Sequence, residues 1–171
     1  MTDRHQNRSR VYLAVALVAT LLAGACRESS IPSGLHVQQI TISADTVVGT
    51  GQLAELQQKR AAWVARGIND YRVQLQIVCF CGGDIRRPVL VEVRRGVVSK
   101  VWDLETAKLV TDVTPYPTIT SLFDRAIEQR SGGGHVAVTY DREVGFPTRI
   151  EIGTLANDAG TEFHLGAFTR L

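Results

Sequence analysis

The sequence lacks the short motifs that mark several large enzyme classes. It contains no G-x-S-x-G nucleophile elbow, no H-E-x-x-H zinc motif and no G-x-x-x-x-G-K phosphate loop. It is also poor in residues that commonly carry chemistry, with three cysteines, four histidines and 6% aromatic residues. Gly132–Gly134 precedes a predicted strand rather than a helix, so this glycine run is not expected to bind phosphate. We expect no enzymatic activity and no cofactor.

The apolar run near the N-terminus is too short for an ordinary membrane-spanning helix. It extends from Val11 to Ala25 and follows three arginines, Arg4, Arg8 and Arg10. A helix that crosses a bilayer needs about 20 apolar residues. A basic segment, an apolar run and small residues at its end are typical of a secretory signal peptide. An uncleaved anchor helix is the alternative, and the length of the run disfavours it.

The end of this run favours attachment of a lipid. The segment Leu22–Cys26 resembles a bacterial lipobox, in which small residues precede a cysteine that is acylated and becomes the new N-terminus. It departs from the usual pattern because Ala23 stands where leucine is preferred. We expect lipid on Cys26, with ordinary cleavage at an A-x-A-like site as the alternative. Arg27 follows the cysteine, and the lack of aspartate there favours the outer membrane. The expected location is the bacterial cell envelope, facing the periplasm.

Removal of the signal peptide changes both the charge and the cysteine count. The whole chain carries a formal charge of +2, but residues 1–25 contain three arginines and Asp3, so the remainder is neutral. A neutral chain gives no electrostatic case for binding nucleic acid. With Cys26 bound to lipid, Cys79 and Cys81 remain as a pair in an oxidising compartment. The expected partners are the membrane, through the lipid, and an envelope protein.

Composition divides the chain into three parts. Residues 1–25 form the signal peptide, residues 26–51 form the lipidated N-terminus and a flexible tether, and residues 52–171 form one globular domain. The tether is rich in Ser, Thr, Gly and Gln and contains Pro32. Within it, His36–Ile42 alternates polar and apolar residues and could form an edge strand.

The domain is predicted to be α+β, with an antiparallel sheet and two helices packed on one face. Helical spacing and alanine content predict helices around Leu53–Arg66 and Thr120–Arg130. Alternating apolar residues predict strands, and glycine at position 96 predicts a tight hairpin. The element order is a helix followed by three strands, repeated once. The predicted strands are Val73–Cys81, Val89–Arg94, Val97–Trp102, His135–Tyr140, Thr148–Ile152 and Glu162–Phe168.

The Cys79-x-Cys81 pair is the most suggestive chemical feature. Side chains at i and i+2 of a strand share a face, so both thiols are expected to continue the core-facing row. Their Cα atoms would be about 6.5–7 Å apart, at the upper limit of disulfide geometry. Two buried cysteines or a local disulfide are favoured. A redox site normally uses C-x-x-C at a helix N-terminus. A metal site would need further ligands, and His36, His135 and His164 are far apart in sequence.

The carboxylates near the C-terminal strands offer no paired catalytic site. Asp141 and Glu143 lie in one predicted turn, and Asp158 and Glu162 flank another. Aspartate is a common turn residue, and Asp141 is expected to accept hydrogen bonds from backbone N–H groups of its own loop.

Several short motifs occur in a characteristic order along the chain. They are Trp63, Gly67–Tyr71, Cys79–Cys81, Val91–Gly96, Leu122-Phe123, Tyr140-Asp141 and Gly145–Pro147. In this order they resemble a family of bacterial lipoproteins known as domain of unknown function 6174, over about residues 55–165. The resemblance implies the same fold and localisation and supplies no activity.

Taken together, the sequence predicts a lipid-anchored, non-enzymatic envelope protein that binds a partner. The alternative is a metal- or redox-active domain centred on Cys79 and Cys81. A third hypothesis, small-ligand binding between sheet and helices, requires a cavity.

Overall fold

The computed structural model describes the backbone of residues 46–49 and all atoms of residues 52–154 and 159–171. The signal peptide, Cys26, the predicted strand His36–Ile42 and Asp158 lie outside these residues. Within the described part, neither helix is long and apolar enough to cross a membrane.

The described residues form two helices and one seven-stranded antiparallel sheet, which confirms the α+β prediction. The spatial order of the strands is β1-β5-β6-β7-β2-β3-β4. The helices are α1 (Leu53–Ala65) and α2 (Ile119–Ser131). The strands are β1 (Thr46–Gly49), β2 (Tyr71–Cys79), β3 (Val89–Arg94), β4 (Val97–Asp103), β5 (Val136–Asp141), β6 (Pro147–Ile152) and β7 (Thr161–Arg170), and a short 3₁₀ helix spans Gly83–Arg86.

The helices pack antiparallel on one face of the sheet. The indole N–H of Trp63 in α1 donates a hydrogen bond to the hydroxyl of Thr120, at the start of α2, at 3.1 Å. The α2 helix begins after Thr118, whose hydroxyl oxygen accepts a hydrogen bond from the backbone N–H of Ser121 and caps the helix. Its apolar residues recur at helical spacing and are buried against the sheet. They are Ile119, Leu122, Phe123 and Ala126.

The strands supply the other half of the core through alternate residues. In β2, Val73, Leu75 and Ile77 point to the helices and are at most 4% exposed. The intervening residues point to the opposite face, here called the far face. Leu90, Trp102 and Leu104 form a second, small buried cluster there.

Two features of the sheet differ from the prediction. A strand at Thr46–Gly49 pairs with β5, although residues 26–51 were expected to be tether, so the sheet begins before residue 51. In β7, the alternation of Phe163 and Leu165 predicts that Ala167 also lies in the core, but it has a left-handed backbone (φ 43°) and is exposed. The β2–β7 register shifts beside it, and Phe168 packs against the core instead.

Strand direction gives the domain two distinct ends. At one end β2 and β4 begin, β5 and β7 finish, and Thr46 of β1 pairs with Asp141. Because Arg66, Arg94, Arg95, Arg142 and Arg170 lie there, we call it the arginine end. At the other end β2 finishes at Cys79, the segment 80–88 connects β2 to β3, and the segment 104–108 follows β4. We call this end the disulfide end.

The β3–β4 hairpin at the arginine end turns through Arg95 and Gly96. Both have positive φ, at 51° and 75°. This is the conformation of a two-residue type I′ turn, which explains the preference for glycine at position 96.

One edge of the sheet is partly covered by the chain itself. The segment Lys108–Val110 runs along the second half of β4. Val110 N–H donates to the Val101 carbonyl at 2.8 Å, and Asp103 N–H donates to the Lys108 carbonyl at 2.9 Å. The first half of β4 is not covered by this segment.

Candidate functional site

Cys79 and Cys81 are joined in a disulfide at the end of β2. Their Cα atoms are 5.2 Å apart, closer than the 6.5–7 Å expected for an extended strand. The difference arises because β2 ends at Cys79 and the chain bends at Phe80. Cys79 packs against the core, whereas Cys81 lies beyond the bend and does not continue the core-facing row.

The disulfide lies at a partly exposed bend of the chain. Both cysteines are half-buried, and Phe80 between them is 69% exposed. Val78 is 37% exposed on the far face. A groove of about 360 Å³ lies beside the disulfide loop and is lined by Gln76, Val78 and Arg86 among others. A second open groove, of about 390 Å³, lies between α2 and β6–β7.

Arg87 joins the connecting segments of the disulfide end. Its guanidinium lies 3.0 Å from Asp84, 3.2 Å from Asp103 and 3.6 Å from Glu105. The hydrogen bond to Asp103 and the charge of Asp84 raise the pKa of Arg87. This arrangement ties the 3₁₀ segment to the connection that follows β4.

Asp103 is the buried member of that group. Its Oδ1 accepts hydrogen bonds from the backbone N–H groups of Glu105 at 2.8 Å and Thr106 at 3.0 Å. Burial alone would raise its pKa, but these amides and Arg87 hold the pKa below its usual value. A cavity of about 200 Å³ beside it is lined by Arg87, Lys108 and Tyr116 among others. The carboxylate is therefore fixed as an anion by the fold.

A second buried carboxylate, Glu92 of β3, lies on the far face. Arg72 of β2 pairs with it at 2.6 Å and Arg94 at 3.3 Å. Burial would raise the pKa of Glu92, and the hydrogen bond and charge of Arg72, helped by Arg94, bring it below its usual value. The hydroxyl of Ser99 also lies 3.4 Å from this carboxylate.

Glu162 of β7 is the third buried carboxylate. It forms an ion pair with Arg149 of β6, and its Oε1 is 2.5 Å from Nε2 of His164. Against the effect of burial, these partners hold the pKa of Glu162 below its usual value. Each buried carboxylate of the far face is thus neutralised by a basic side chain on a neighbouring strand.

The histidines and the turn carboxylates do not assemble into a metal site. His164 contacts Glu162, and His135 lies 3.8 Å from Glu151, while His36 is outside the described residues. Among residues 52–154 and 159–171, no group of three or more His, Cys, Asp or Glu residues could hold a metal ion. Asp141 accepts hydrogen bonds from the backbone N–H groups of Glu143 at 3.0 Å and Val144 at 2.6 Å, as predicted.

The arginine end was not recognised as a feature in the sequence. All five of its arginines are exposed, and of these only Arg94 has an ionic partner in the described part of the chain. A cluster of aromatic rings lies beneath them, with Phe146 stacked on Phe168 at 5.1 Å and Trp63 edge-on to Tyr71 at 5.9 Å. The arginines come from hairpin tips and element ends that are distant in sequence, so only the strand order brings them together.

Comparison with known proteins gives one match. Residues 55–168 match a family of unknown function (DUF6174). No curated protein and no solved structure matches the chain.

Proposed function

The chain belongs to the family of unknown function DUF6174, and from that premise we propose that it is a lipid-anchored, non-enzymatic protein of the bacterial cell envelope whose domain binds another envelope component. The observation that carries this proposal is the order of segments at the N-terminus. Three arginines, an apolar run and a lipobox-like segment lead to Cys26, and a polar stretch then leads to the first strand of the domain.

The electrostatics of the domain argue against a general acid among its buried carboxylates. A general acid that works near neutral pH needs a raised carboxyl pKa. The three buried carboxylates, Asp103, Glu92 and Glu162, instead have lowered pKa values because arginines and backbone amides hold them as anions. These groups stabilise the sheet and its connections.

The anchor is tested by the variant Cys26→Ser in bacteria fed an alkyne analogue of palmitate. The wild-type chain is expected to carry the label and to fractionate with membranes, whereas the variant carries no label and accumulates as the precursor. Cys81→Ser serves as the control, because it removes a different cysteine and must leave labelling unchanged. Equal labelling of the wild type and Cys26→Ser would refute the anchor.

The binding role is tested by photo-crosslinking of the full chain in cells. A photoreactive residue at position 80, at the disulfide end, or at position 142, at the arginine end, is expected to give a discrete cross-link that competes with added purified protein. Only self-cross-links or none at either position would contradict a partner in the envelope.

A second candidate function is redox exchange at Cys79 and Cys81. The favouring observation is that the disulfide is half-exposed beside an exposed phenylalanine, at a strand end. Thiol counting across a series of glutathione buffers tests it. Redox exchange requires both thiols to appear together at a mild potential, and a disulfide that persists in the most reducing buffer excludes it. A metal-binding role would further require bound metal in the reduced protein, which elemental analysis detects.

A further inference from the structure

We propose that the arginine end docks on an anionic phospholipid surface, so that the disulfide end points away from the membrane. This proposal rests on the lipid anchor and adds the orientation of the domain. The anchor by itself limits only how far the domain can lie from the membrane.

The first argument is charge. Arg66, Arg95, Arg142 and Arg170 are exposed and have no ionic partner within the described part of the chain. Basic side chains of this kind are available to phosphate groups outside the protein. Arginine suits such contacts because its planar guanidinium can donate two hydrogen bonds to one phosphate.

The acidic residues at the same end do not cancel this charge. Asp70 accepts a hydrogen bond from the Arg95 backbone N–H at 3.2 Å and lies 4.0 Å from Arg94. Asp141 is occupied by the amides of its own turn, and Glu143 is exposed. Five arginine side chains thus face three carboxylate side chains, and the sum of these side-chain charges is positive.

The disulfide end has the opposite balance. Its connecting segments and helix ends carry five acidic and four basic residues, and Arg87 lies close to three of the carboxylates. The basic residues there are Arg86, Arg87, Lys108 and Arg130, and the acidic residues are Glu55, Asp84, Asp103, Glu105 and Glu128. An anionic surface therefore attracts one end of the domain and not the other.

The second argument is the place where the chain enters the domain. Thr46, the first residue of β1, pairs with Asp141 at the arginine end. The chain from Cys26 to Thr46 spans about 70 Å when fully extended. The anchor therefore joins the domain at the arginine end, so this end faces the lipid when the domain approaches to the distance of about 8–10 Å over which exposed charges interact.

The third argument is rigidity. The Gly96 N–H donates to the Asn69 carbonyl at 2.8 Å, and the Leu171 N–H donates to the Asp70 carbonyl at 3.1 Å. These bonds fasten the β3–β4 hairpin and the C-terminus to the start of β2, above the aromatic cluster. The arginines therefore form a fixed surface, and docking does not require a disordered segment to fold.

The test uses the full-length protein purified from bacteria and reconstituted in vesicles. Vesicles of phosphatidylcholine alone are compared with vesicles of phosphatidylcholine and phosphatidylglycerol, and backbone amide exchange is measured by mass spectrometry. We expect slower exchange at residues 66–71, 94–97, 141–146 and 169–171 on the anionic vesicles, and no change at residues 80–88. High salt is expected to abolish the difference.

Two triple variants distinguish the effect of where the basic residues lie from the effect of the total charge of the domain. Arg66→Gln, Arg142→Gln and Arg170→Gln together should lower the ratio of docked to undocked domain on the order of 100-fold, which removes the slower exchange. The control combines Arg86→Gln, Lys108→Gln and Arg125→Gln, which removes the same charge elsewhere and should retain it. None of these six side chains has an ionic partner within the described residues, so folding of both variants is expected and is checked by circular dichroism.

Three results would overturn the proposal. The first is identical amide exchange on neutral and anionic vesicles, and the second is equally slowed exchange at both ends of the domain on anionic vesicles. The third is an equal loss of the slower exchange in the two triple variants. The mass of the purified protein reports acylation of Cys26 separately. If no acyl group is found, the proposed anchor fails, and docking is decided by sedimentation of the same chain with an excess of each vesicle at low salt. Sedimentation with anionic vesicles alone supports docking, and sedimentation with neither refutes it.

Discussion

The two ends of the sheet are stabilised by different kinds of interaction. At the arginine end, Trp63, Tyr71, Phe146 and Phe168 pack edge-on or stacked beneath the hairpin tips. At the disulfide end, Arg87 gathers the carboxylates of two connecting segments. A covalent bond between Cys79 and Cys81 closes the adjacent bend. The first end depends on buried apolar area and the second on charge and a crosslink.

The comparison shows how the same sheet can present two chemically different surfaces. Aromatic packing at the arginine end fixes the backbone, so Arg66, Arg95, Arg142 and Arg170 stay available to the solvent and only Arg94 forms ion pairs within the described residues. At the disulfide end Arg87 holds the connecting segments together, so its charge is neutralised by carboxylates within the fold. The following predictions test this division, beginning with the largest expected effect.

Removal of Trp63 should destabilise the protein most. Its side chain is 2% exposed, contacts Tyr71 and Phe168, and donates a hydrogen bond to Thr120. We expect Trp63→Ala to lower the free energy of unfolding by about 3–5 kcal/mol, measured by urea titration followed by circular dichroism. Phe80→Ala at the disulfide end is the matched control, with an expected change within about 0.5 kcal/mol because the ring is exposed. Similar losses in the two variants would contradict the division.

The buried carboxylate of the disulfide end should have the next largest effect. Asp103→Ala removes the acceptor for two backbone amides and for Arg87. We expect a loss of about 2 kcal/mol at pH 7. Asp103→Asn is the control, because it can keep the two amide contacts and loses the charge.

The cost of Asp103→Asn should depend on pH. The folded-state pKa of Asp103 lies below its reference value of 3.8, so its charge contributes stability above that value. This contribution is lost as the pH falls through the folded-state pKa, where the wild type is protonated too. The difference in urea midpoint between wild type and Asp103→Asn should therefore shrink below pH 3.8 and be constant above pH 6. A difference that grows at low pH would rule out this explanation.

The disulfide should contribute less than the aromatic cluster. It closes a very short loop, and the loss of chain entropy in the unfolded state is small for such a loop. We expect Cys79→Ser with Cys81→Ser to lower the free energy of unfolding by about 1.5 kcal/mol. Reduction of the wild type by a thiol should give the same shift in urea midpoint. A loss as large as that of Trp63→Ala would mean that the crosslink, and not packing, holds the sheet.

The smallest predicted effect is a gain in stability. Tyr140 is 1% exposed, and among the described residues its hydroxyl is a buried polar side-chain atom without a hydrogen-bond partner. Tyr140→Phe is expected to raise the free energy of unfolding by up to about 1 kcal/mol, measured by urea titration.

Tyr71→Phe is the control for that gain, because the Tyr71 hydroxyl accepts a hydrogen bond from the Ile119 backbone N–H at 2.9 Å. Burial raises the pKa of Tyr71 to about 12, against the opposite effect of this hydrogen bond, so the hydroxyl is un-ionised at neutral pH. Its loss should cost about 1 kcal/mol. A destabilised Tyr140→Phe would show that the hydroxyl has a partner.

The sequence was sufficient for elements whose pattern is local. The alternation in Val73–Ile77 and in Val89–Val93 marked two central strands, and the helical spacing of Leu56 and Trp63 marked α1. Glycine at position 96 marked the hairpin. These signals are local, so they need no knowledge of which strands are neighbours.

Features that depend on strand register could not be predicted. Arg72 meets Glu92 and Arg149 meets Glu162 only because β2 pairs with β3 and β6 with β7. The four-residue strand at Thr46–Gly49 is too short for a periodic signal. The left-handed Ala167, which moves Phe168 into the core, gives no pattern in the sequence, since alanine rarely adopts positive φ.

The cover that Lys108–Val110 forms over the edge of β4 affects how copies of the protein can associate with one another. An uncovered edge strand offers a row of free N–H and C=O groups to which a second copy can add, and repetition of that contact builds fibrils. Here the segment occupies the backbone groups of Val101 and Asp103, and Lys100 lies next to the open half of the strand. The covered half of β4 therefore cannot pair with a second copy, and the charge of Lys100 disfavours such pairing at the open half.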